Sequence, residues 1–239
     1  MHHKFSETDA DPHNSKRGFF FAHVGWLLCR KHPDVISKGK QIDLSDLLAD
    51  PIVLFQRQFY IPLVLLWWGV FPVIVPYYFW NESILLALLL NSFRHIITLH
   101  HTWLVNSAAH MFGIHPYDKQ LKPAENFFVS FFTLGEGYHN YHHTFPWDYS
   151  ASEHGWSTNF NLATAFIDIL AWFGLVTNRQ TVPKHIILKR IKRTGDKFLL
   201  QPYKRLQQNK LCSLQHHTMG FIVCTWPLWL SYILSIGLR

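Results

Sequence analysis

The chain has 239 residues, of which 15% are charged and 49% hydrophobic, with a formal net charge of +7 and 17 histidines. A soluble domain has about 25% charged residues, so this composition argues against an ordinary soluble protein and favours a chain that lies partly in lipid. The basic residues do not form a nucleic-acid-binding pattern, and three cysteines without metal-like spacing argue against a disulfide framework.

Residues 1–58 are polar and mixed, and they begin without a secretory signal, so we expect membrane targeting to come from internal segments. An amphipathic stretch from Gly18 to Leu28 precedes the basic pair Arg30 and Lys31. The run from Ile42 to Phe59 has apolar residues at helical spacing, which predicts one amphipathic helix.

Two apolar runs then follow, separated by only three polar residues. Tyr60 to Trp80 carries no charge and has the length of about 20 residues that a membrane-spanning helix needs. The second run extends from Ser83 to about Leu104 and is interrupted by Arg94, His95, His100 and His101. A connection this short predicts a helical hairpin, and the Lys- and Arg-rich flanks predict that its outer ends face the cytosol.

The rest of the chain contains a polar region followed by an apolar one. Residues 105–215 are polar and rich in histidine and tryptophan, which predicts a compact cap on the membrane surface. Met219 to Leu238 is uncharged and is a candidate for a third span. We therefore predict four regions: a cytosolic segment over 1–58, a transmembrane hairpin over 59–105, a cytosolic cap over 106–215 and an atypical hydrophobic segment over 216–239.

The histidines form three groups. In the strongest group, His139, His142 and His143 have the i, i+3, i+4 spacing that shares one helix face. The other two groups are the pair His2-His3 and the residues Asn106 and His110, which are one helical turn apart. Neutral imidazole suits Fe, Zn, Cu and Ni, and the chain has no cysteine cluster for structural zinc. The pattern favours redox iron beside a membrane.

These motifs resemble the membrane acyl-CoA desaturases of the stearoyl-CoA type. The resemblance is carried by long stretches in the family order, over residues 1 to about 200: His2 to Asn14, Gly25 to Pro33, Thr102 to His110, and Gly135 to Tyr149. It implies an all-α integral membrane fold, in which a helical hairpin carries a cytosolic helical cap with a histidine-rich di-iron site. It also implies a multi-pass protein of the endoplasmic reticulum membrane.

The resemblance implies an activity and its partners. The reaction would be the O₂-dependent insertion of a cis double bond into a saturated acyl-CoA, most often at the ninth carbon. Two Fe²⁺ ions would serve as cofactor, because an unactivated C–H bond needs a strong metal oxidant. Electrons would come from cytochrome b5 and its NADH-dependent reductase, and the acidity of cytochrome b5 fits a basic cytosolic face.

The resemblance also assigns roles to individual residues. The implied metal ligands are His2, His3, His110, His139, His142 and His143, with Asn106 acting through a water. Arg30 and Lys31 would contact the CoA phosphates, and Trp26 would pack near the CoA or the acyl chain. Thr102 and Trp103 would shape the acyl tunnel. Four carboxylates are candidates to orient imidazoles or are surface and capping groups instead: Asp9, Asp11, Glu136 and Asp148.

The chain departs from the family pattern in ways that leave alternatives open. The family uses nine histidine ligands and four spans, whereas this chain has six of the histidines and lacks the first histidine box. We therefore expect an N-terminally truncated desaturase, which is either an enzyme or a non-catalytic desaturase-like membrane protein. An acyl hydroxylase shares the same iron chemistry, and a transporter is a weaker alternative. His100 and His101 either line the acyl tunnel or lie at a polar membrane boundary.

Overall fold

The computed structural model describes residues 1–197, and this part of the chain is mainly helical. No β-strand forms within it, and two isolated antiparallel bridges join Glu125 to Ile114 and to Tyr138. The predicted all-α fold class is confirmed. The predicted hydrophobic segment over 216–239, with its candidate span from Met219 to Leu238, lies outside the described residues, and the four-region division stays a prediction.

The α-helices fall into three stretches of chain. The helices before the hairpin are short: α1 (His2–Phe5), α2 (Trp26–Leu28), α3 (Pro33–Gly39), α4 (Ser45–Ala49) and α5 (Pro51–Gln58). The hairpin consists of α6 (Tyr60–Val64), α7 (Phe71–Trp80) and α8 (Ile84–Asn106). The cap contains α9 (Phe127–Phe132), α10 (His139–Thr144), α11 (Trp156–Asn159), α12 (Leu162–Trp172) and α13 (Lys184–Thr194).

The prediction of one helix from Ile42 to Phe59 is wrong. Asp50 has an extended backbone and separates α4 from α5, because the residue before a proline is driven out of the helical region. The Asp50 carboxylate then caps α5 by accepting hydrogen bonds from the backbone N–H groups of Ile52 (2.8 Å) and Val53 (3.3 Å). Pro51 occupies the first turn of α5, where its missing N–H costs nothing.

The two predicted spans form long apolar helices. Tyr60–Trp80 is a continuous helical segment of 21 residues, in which a π-helical turn (Leu65–Val70) joins α6 to α7. With α8 it makes two helices that are long and apolar enough to cross a membrane. Asn81 adopts the left-handed conformation that ends α7, and the Ser83 hydroxyl accepts from the Leu86 N–H to begin α8.

One buried amide explains how the hairpin tolerates a proline. Pro72 has no N–H, so one carbonyl of the π-helical turn that precedes it loses a helical donor. The buried Asn91 side chain of α8 donates to the Trp68 carbonyl of this turn at 2.7 Å, and Arg94 in turn donates to Asn91 at 2.7 Å. A polar contact between the two helices therefore supplies a donor to the turn before the proline.

The cap has a small apolar core behind α10. Tyr141 of α10 and Phe145, which directly follows that helix, pack with Tyr117, Val182 and two isoleucines of α13, Ile187 and Ile191. Asp148 ties the same elements together, since its carboxylate accepts from the Tyr141 hydroxyl (2.8 Å) and the Val182 N–H (2.8 Å). This core fixes α10 from the side that does not carry its histidines.

Candidate metal centre

Four imidazoles from three separate stretches of chain meet at one point beside the end of α8. The ligand atoms of His2, His110, His139 and His143 all lie within 4.8 Å of one another. His2 comes from α1, His110 from the 3₁₀ turn (Ala108–His110) that follows α8, and the other two from α10. We refer to these four side chains as the four-imidazole cluster.

The protonation of two members leaves their lone pairs facing each other. The His2 Nδ1 donates to Asp11 at 2.8 Å, and the His110 Nδ1 donates to Glu7 at 2.8 Å. A neutral imidazole carries one N–H, so the Nε2 atoms of both rings are bare. These two bare atoms are 3.2 Å apart, which is unfavourable unless a cation lies between them. The arrangement is that of a metal site whose ligands are oriented by carboxylates.

The spacing of the remaining nitrogens also fits a shared metal ion. The His139 Nε2 lies 2.9 Å from the His110 Nε2 and 3.1 Å from the His143 Nε2. Two nitrogens bound to one ion at about 2.1 Å and at right angles to each other are about 3 Å apart. A single nitrogen cannot donate to both neighbours at once, so hydrogen bonding alone does not account for the cluster.

His3 and His142 form a second pair next to the cluster. Their Nε2 atoms are 3.2 Å apart, and the His3 ring stacks on the His143 ring with centroids 4.3 Å apart. Unlike the four-imidazole cluster, the pair is solvent-exposed at His3, and no carboxylate contacts either ring among the described residues. The six predicted histidines are thus brought together as four buried or half-buried rings and one more exposed pair.

Burial keeps His139 and His143 neutral. Burial, followed by the proximity of His143 and of the other rings, lowers the pKa of His139 well below its ordinary value. Burial and the neighbouring histidines lower the pKa of His143 in the same way. Burial alone would raise the pKa of Glu7, but hydrogen bonds from His110 and Ser15 lower it below its usual value. Neutral imidazoles beside ionised carboxylates are the forms that bind a metal cation.

Two tightly bonded residues hold α10 in place. The Asn140 side chain accepts from the Tyr117 and Asp118 N–H groups at 2.9 and 3.1 Å, and it donates to the Asp118 and Pro123 carbonyls at 2.9 Å each. The Glu125 carboxylate accepts from the Tyr141 N–H at the start of the helix at 2.7 Å. Burial raises the pKa of Glu125 to about 8. Both contacts fix the helix that carries three of the six histidines.

The predicted supporting residues differ from those that contact the cluster, and Asn106 lies on a different helical element from His110. Asn106 is the last residue of α8, and the chain turns at Ser107, so Asn106 and His110 are not on one continuous α-helix as the sequence suggested. Of the four carboxylates predicted from the sequence, only Asp11 contacts an imidazole. The sequence analysis missed Glu7, which is one of several acidic residues in its segment. Its backbone is left-handed (φ 62°), and its N–H donates to the Asp11 carboxylate. This local conformation turns the Glu7 side chain toward His110.

Three residues predicted to contact CoA surround one cleft. Trp26, Arg30 and Lys31 line it together with Arg17, His32 and Asp9. The Trp26 Nε1 is buried without a hydrogen-bond partner, and its ring packs edge-on against His13 with centroids 4.3 Å apart. The cleft combines three cations with an aromatic wall, which is chemistry suited to a phosphorylated ligand.

A second, apolar cavity of about 650 Å³ lies along the end of α8 and the cap. Thr102 lines it, as do His101, Phe131, Phe132 and Glu136. Trp103 is not part of this wall; its ring contacts His23 and His100 instead. His100 accepts or donates a hydrogen bond with His23 at 3.0 Å, and His23 bonds to Ser107 at 2.9 Å. His101 therefore lies at the cavity, whereas His100 joins α8 to the N-terminal segment.

Comparison with known proteins adds an independent line of evidence from sequence similarity. No family model matches the chain. The chain is 58% identical over 196 residues to the acyl-CoA desaturase of Ovis aries and 57% identical over 196 residues to the stearoyl-CoA desaturase of Homo sapiens. It is 56% identical over 197 residues to stearoyl-CoA desaturase 5 of Bos taurus. These matches cover 82% of the chain, which spans about half the length of these relatives, 54 to 58%.

Proposed function

We propose that this chain, which is homologous to the stearoyl-CoA desaturases, acts in the desaturation of fatty acyl-CoA at a histidine-bound pair of iron ions. The proposal rests on one observation above all: four imidazole nitrogens converge on a common point, and two of them are bare because Asp11 and Glu7 hold the protons on the opposite nitrogens. Two of the predicted alternatives, a non-catalytic desaturase-like protein and an acyl hydroxylase, become outcomes of the test below.

The residues that would hold iron divide between the two groups. His2, His110, His139 and His143 would hold one ion, and His3 and His142 would contribute to the second, with Asn106 acting through a water. When bound, iron would supply the oxidant that an unactivated C–H bond requires. Asp11 and Glu7 keep the Nδ1 protons of His2 and His110 in place, so that the bare Nε2 atoms stay directed at the centre.

The cleft and the apolar cavity would take the two parts of an acyl-CoA. Arg30 and Lys31 would bind phosphate groups, with Trp26 against the ligand. The apolar cavity of about 650 Å³ is within the usual size of a ligand pocket and would hold the acyl chain away from water, with Thr102 in its wall. Trp103 would support that wall from its contacts with His23 and His100.

The balanced overall reaction defines which reactants the chain would need. A saturated –CH₂–CH₂– unit, O₂, two electrons and two protons would give –CH=CH– and two waters, with the double bond at the ninth carbon. Cytochrome b5, reduced by its NADH-dependent reductase, would supply the electrons. We place the chain in the endoplasmic reticulum membrane with the histidine cluster on the cytosolic side, because the Lys- and Arg-rich segments flank the hairpin.

The experiment uses the full chain purified in detergent or lipid nanodiscs. Iron per chain is measured by mass spectrometry, and desaturation of stearoyl-CoA is measured with cytochrome b5, its reductase and NADH. We expect iron to bind and the product to form. His142→Ala should lower both, whereas His154→Ala, at an exposed histidine outside the cluster, should change neither.

The other outcomes separate the alternatives. Iron binding without product would support a non-catalytic desaturase-like protein. A hydroxylated product in place of an alkene would indicate an acyl hydroxylase. Absence of iron binding, in a chain that elutes as a single folded species, would remove the metal-site proposal.

A further inference from the structure

Helix α13 presents a strongly cationic face that the proposed chemistry does not use. Its apolar side is already occupied, since Ile187 and Ile191 are 1% and 4% exposed within the core of the cap. Outside that core the helix exposes four cations and carries no acidic residue: Lys184, Lys189, Lys192 and Arg193. We call these four side chains the α13 cationic face.

The nearby carboxylates do not offset this charge. Asp118 is paired with Arg190, a fifth cation of α13 that is half-buried and turned toward the cap. Asp196, just beyond the helix, lies 3.3 Å from the Lys119 ammonium. The α13 cationic face therefore keeps its positive potential toward solvent, where it attracts a negatively charged surface.

The position of α13 relative to the histidines indicates which kind of partner the α13 cationic face would bind. Helix α13 shares one apolar core with Tyr141 of α10 and with Phe145, which directly follows that helix. The same helix α10 carries His139, His142 and His143. A molecule bound on the α13 cationic face would thus lie across this shared core from the helix that carries the histidines.

We propose that the α13 cationic face is the docking surface for an acidic electron-carrying protein that supplies the histidine centre. This inference rests on the proposed function, which requires two electrons for each double bond. A one-electron haem protein would bind twice per turnover, giving up one electron and being oxidised each time. An amphipathic helix that inserts into lipid needs a free apolar face, whereas α13 has buried Ile187 and Ile191 in the cap and exposes only Ile186 of its three isoleucines.

The test compares two variants with the same change in charge. Lys189→Glu/Lys192→Glu reverses two cations of the α13 cationic face, and Lys16→Glu/Lys40→Glu reverses two exposed cations of the N-terminal segment. Binding of the soluble haem domain of cytochrome b5 to the full chain in nanodiscs is measured by biolayer interferometry, without turnover. We expect the α13 variant to weaken the Kd at least about tenfold and the control variant to change it less than about twofold.

Two further measurements vary the salt concentration and test binding to lipid vesicles. The wild-type Kd should rise from 20 to 200 mM salt, and the α13 variant should lose most of this dependence. Equal loss of binding in both variants, unchanged binding in the α13 variant, or no binding by the wild type at low salt would overturn the proposal. A loss of binding to phosphatidylserine vesicles by the α13 variant, with cytochrome binding unchanged, would assign the face to the membrane instead. Because binding is measured without iron or turnover, its failure is distinguishable from failure of the desaturase proposal.

Discussion

The histidine cluster and the hairpin both bury polar atoms, but they satisfy them in different ways. In the hairpin, the Trp68 carbonyl, in the π-helical turn before Pro72, accepts from the Asn91 amide at 2.7 Å. In the cluster, the bare nitrogens of His2 and His110 face each other at 3.2 Å with no donor between them. A completed set of hydrogen bonds marks a structural contact, whereas converging lone pairs mark a place for a cation.

The largest effect is expected from removing a ligand of the cluster. His139→Ala deletes the imidazole that lies near both His110 and His143, and it should weaken metal binding at least about 100-fold, because ligand loss exceeds the effect of losing a supporting residue. Competition with a chelator measures the affinity. His154→Ala is the matched control at an exposed site, and equal affinities in the two variants would contradict the metal site.

A smaller effect is expected from the carboxylate that the sequence did not reveal. Glu7→Gln removes the charge that holds the proton on the His110 Nδ1, so metal affinity should fall about 10–100-fold while the fold persists. Asp9→Asn changes an exposed acid two residues away in the same segment and should leave metal affinity unchanged. An Asp9 variant as weak as the Glu7 variant would show that only the overall charge of the segment matters.

The pH dependence follows from the lowered pKa values of the cluster histidines. His139 and His143 resist protonation in the folded chain, whereas the unfolded histidine titrates near 6.5, so the stability of the metal-free protein should decrease as the pH falls below about 6.5. For the same reason, bound metal should be retained at pH 6.5 and released only well below it. Release monitored with a metal-sensitive dye tests this, and release centred at or above pH 6.5 would contradict it.

The smallest effect is expected in the hairpin. Asn91→Leu leaves the Trp68 carbonyl without its interhelical donor and should destabilise the protein by about 1 kcal/mol, because such bonds in membranes are modest. Thermal unfolding in detergent measures this change, and metal affinity should not move. Ser92→Ala, at an exposed position of the same helix, is the control, and a loss of metal affinity in the Asn91 variant would mean that the two regions are coupled.

The sequence by itself determined the helical class, both apolar helices and the identity of the six histidines. The apolar helices and the spacing of His139, His142 and His143 are local features that depend only on neighbours along the chain, whereas the resemblance to the desaturases supplied the full set of six predicted ligands. Proline chemistry was the local signal that was underused, since Pro51 divides the helix predicted from Ile42 to Phe59. The long, ordered motifs also led to the desaturase family, which the comparisons support.

Only the tertiary structure decided how the histidines divide and what supports them. His2 and His110 are 108 residues apart, so no spacing rule could predict their contact or separate the four-imidazole cluster from the pair His3 and His142. The same holds for Glu7, whose role depends on a left-handed backbone and on the Asp11 carboxylate. Ligand direction and protonation depend on long-range packing, and packing is a property of the folded chain.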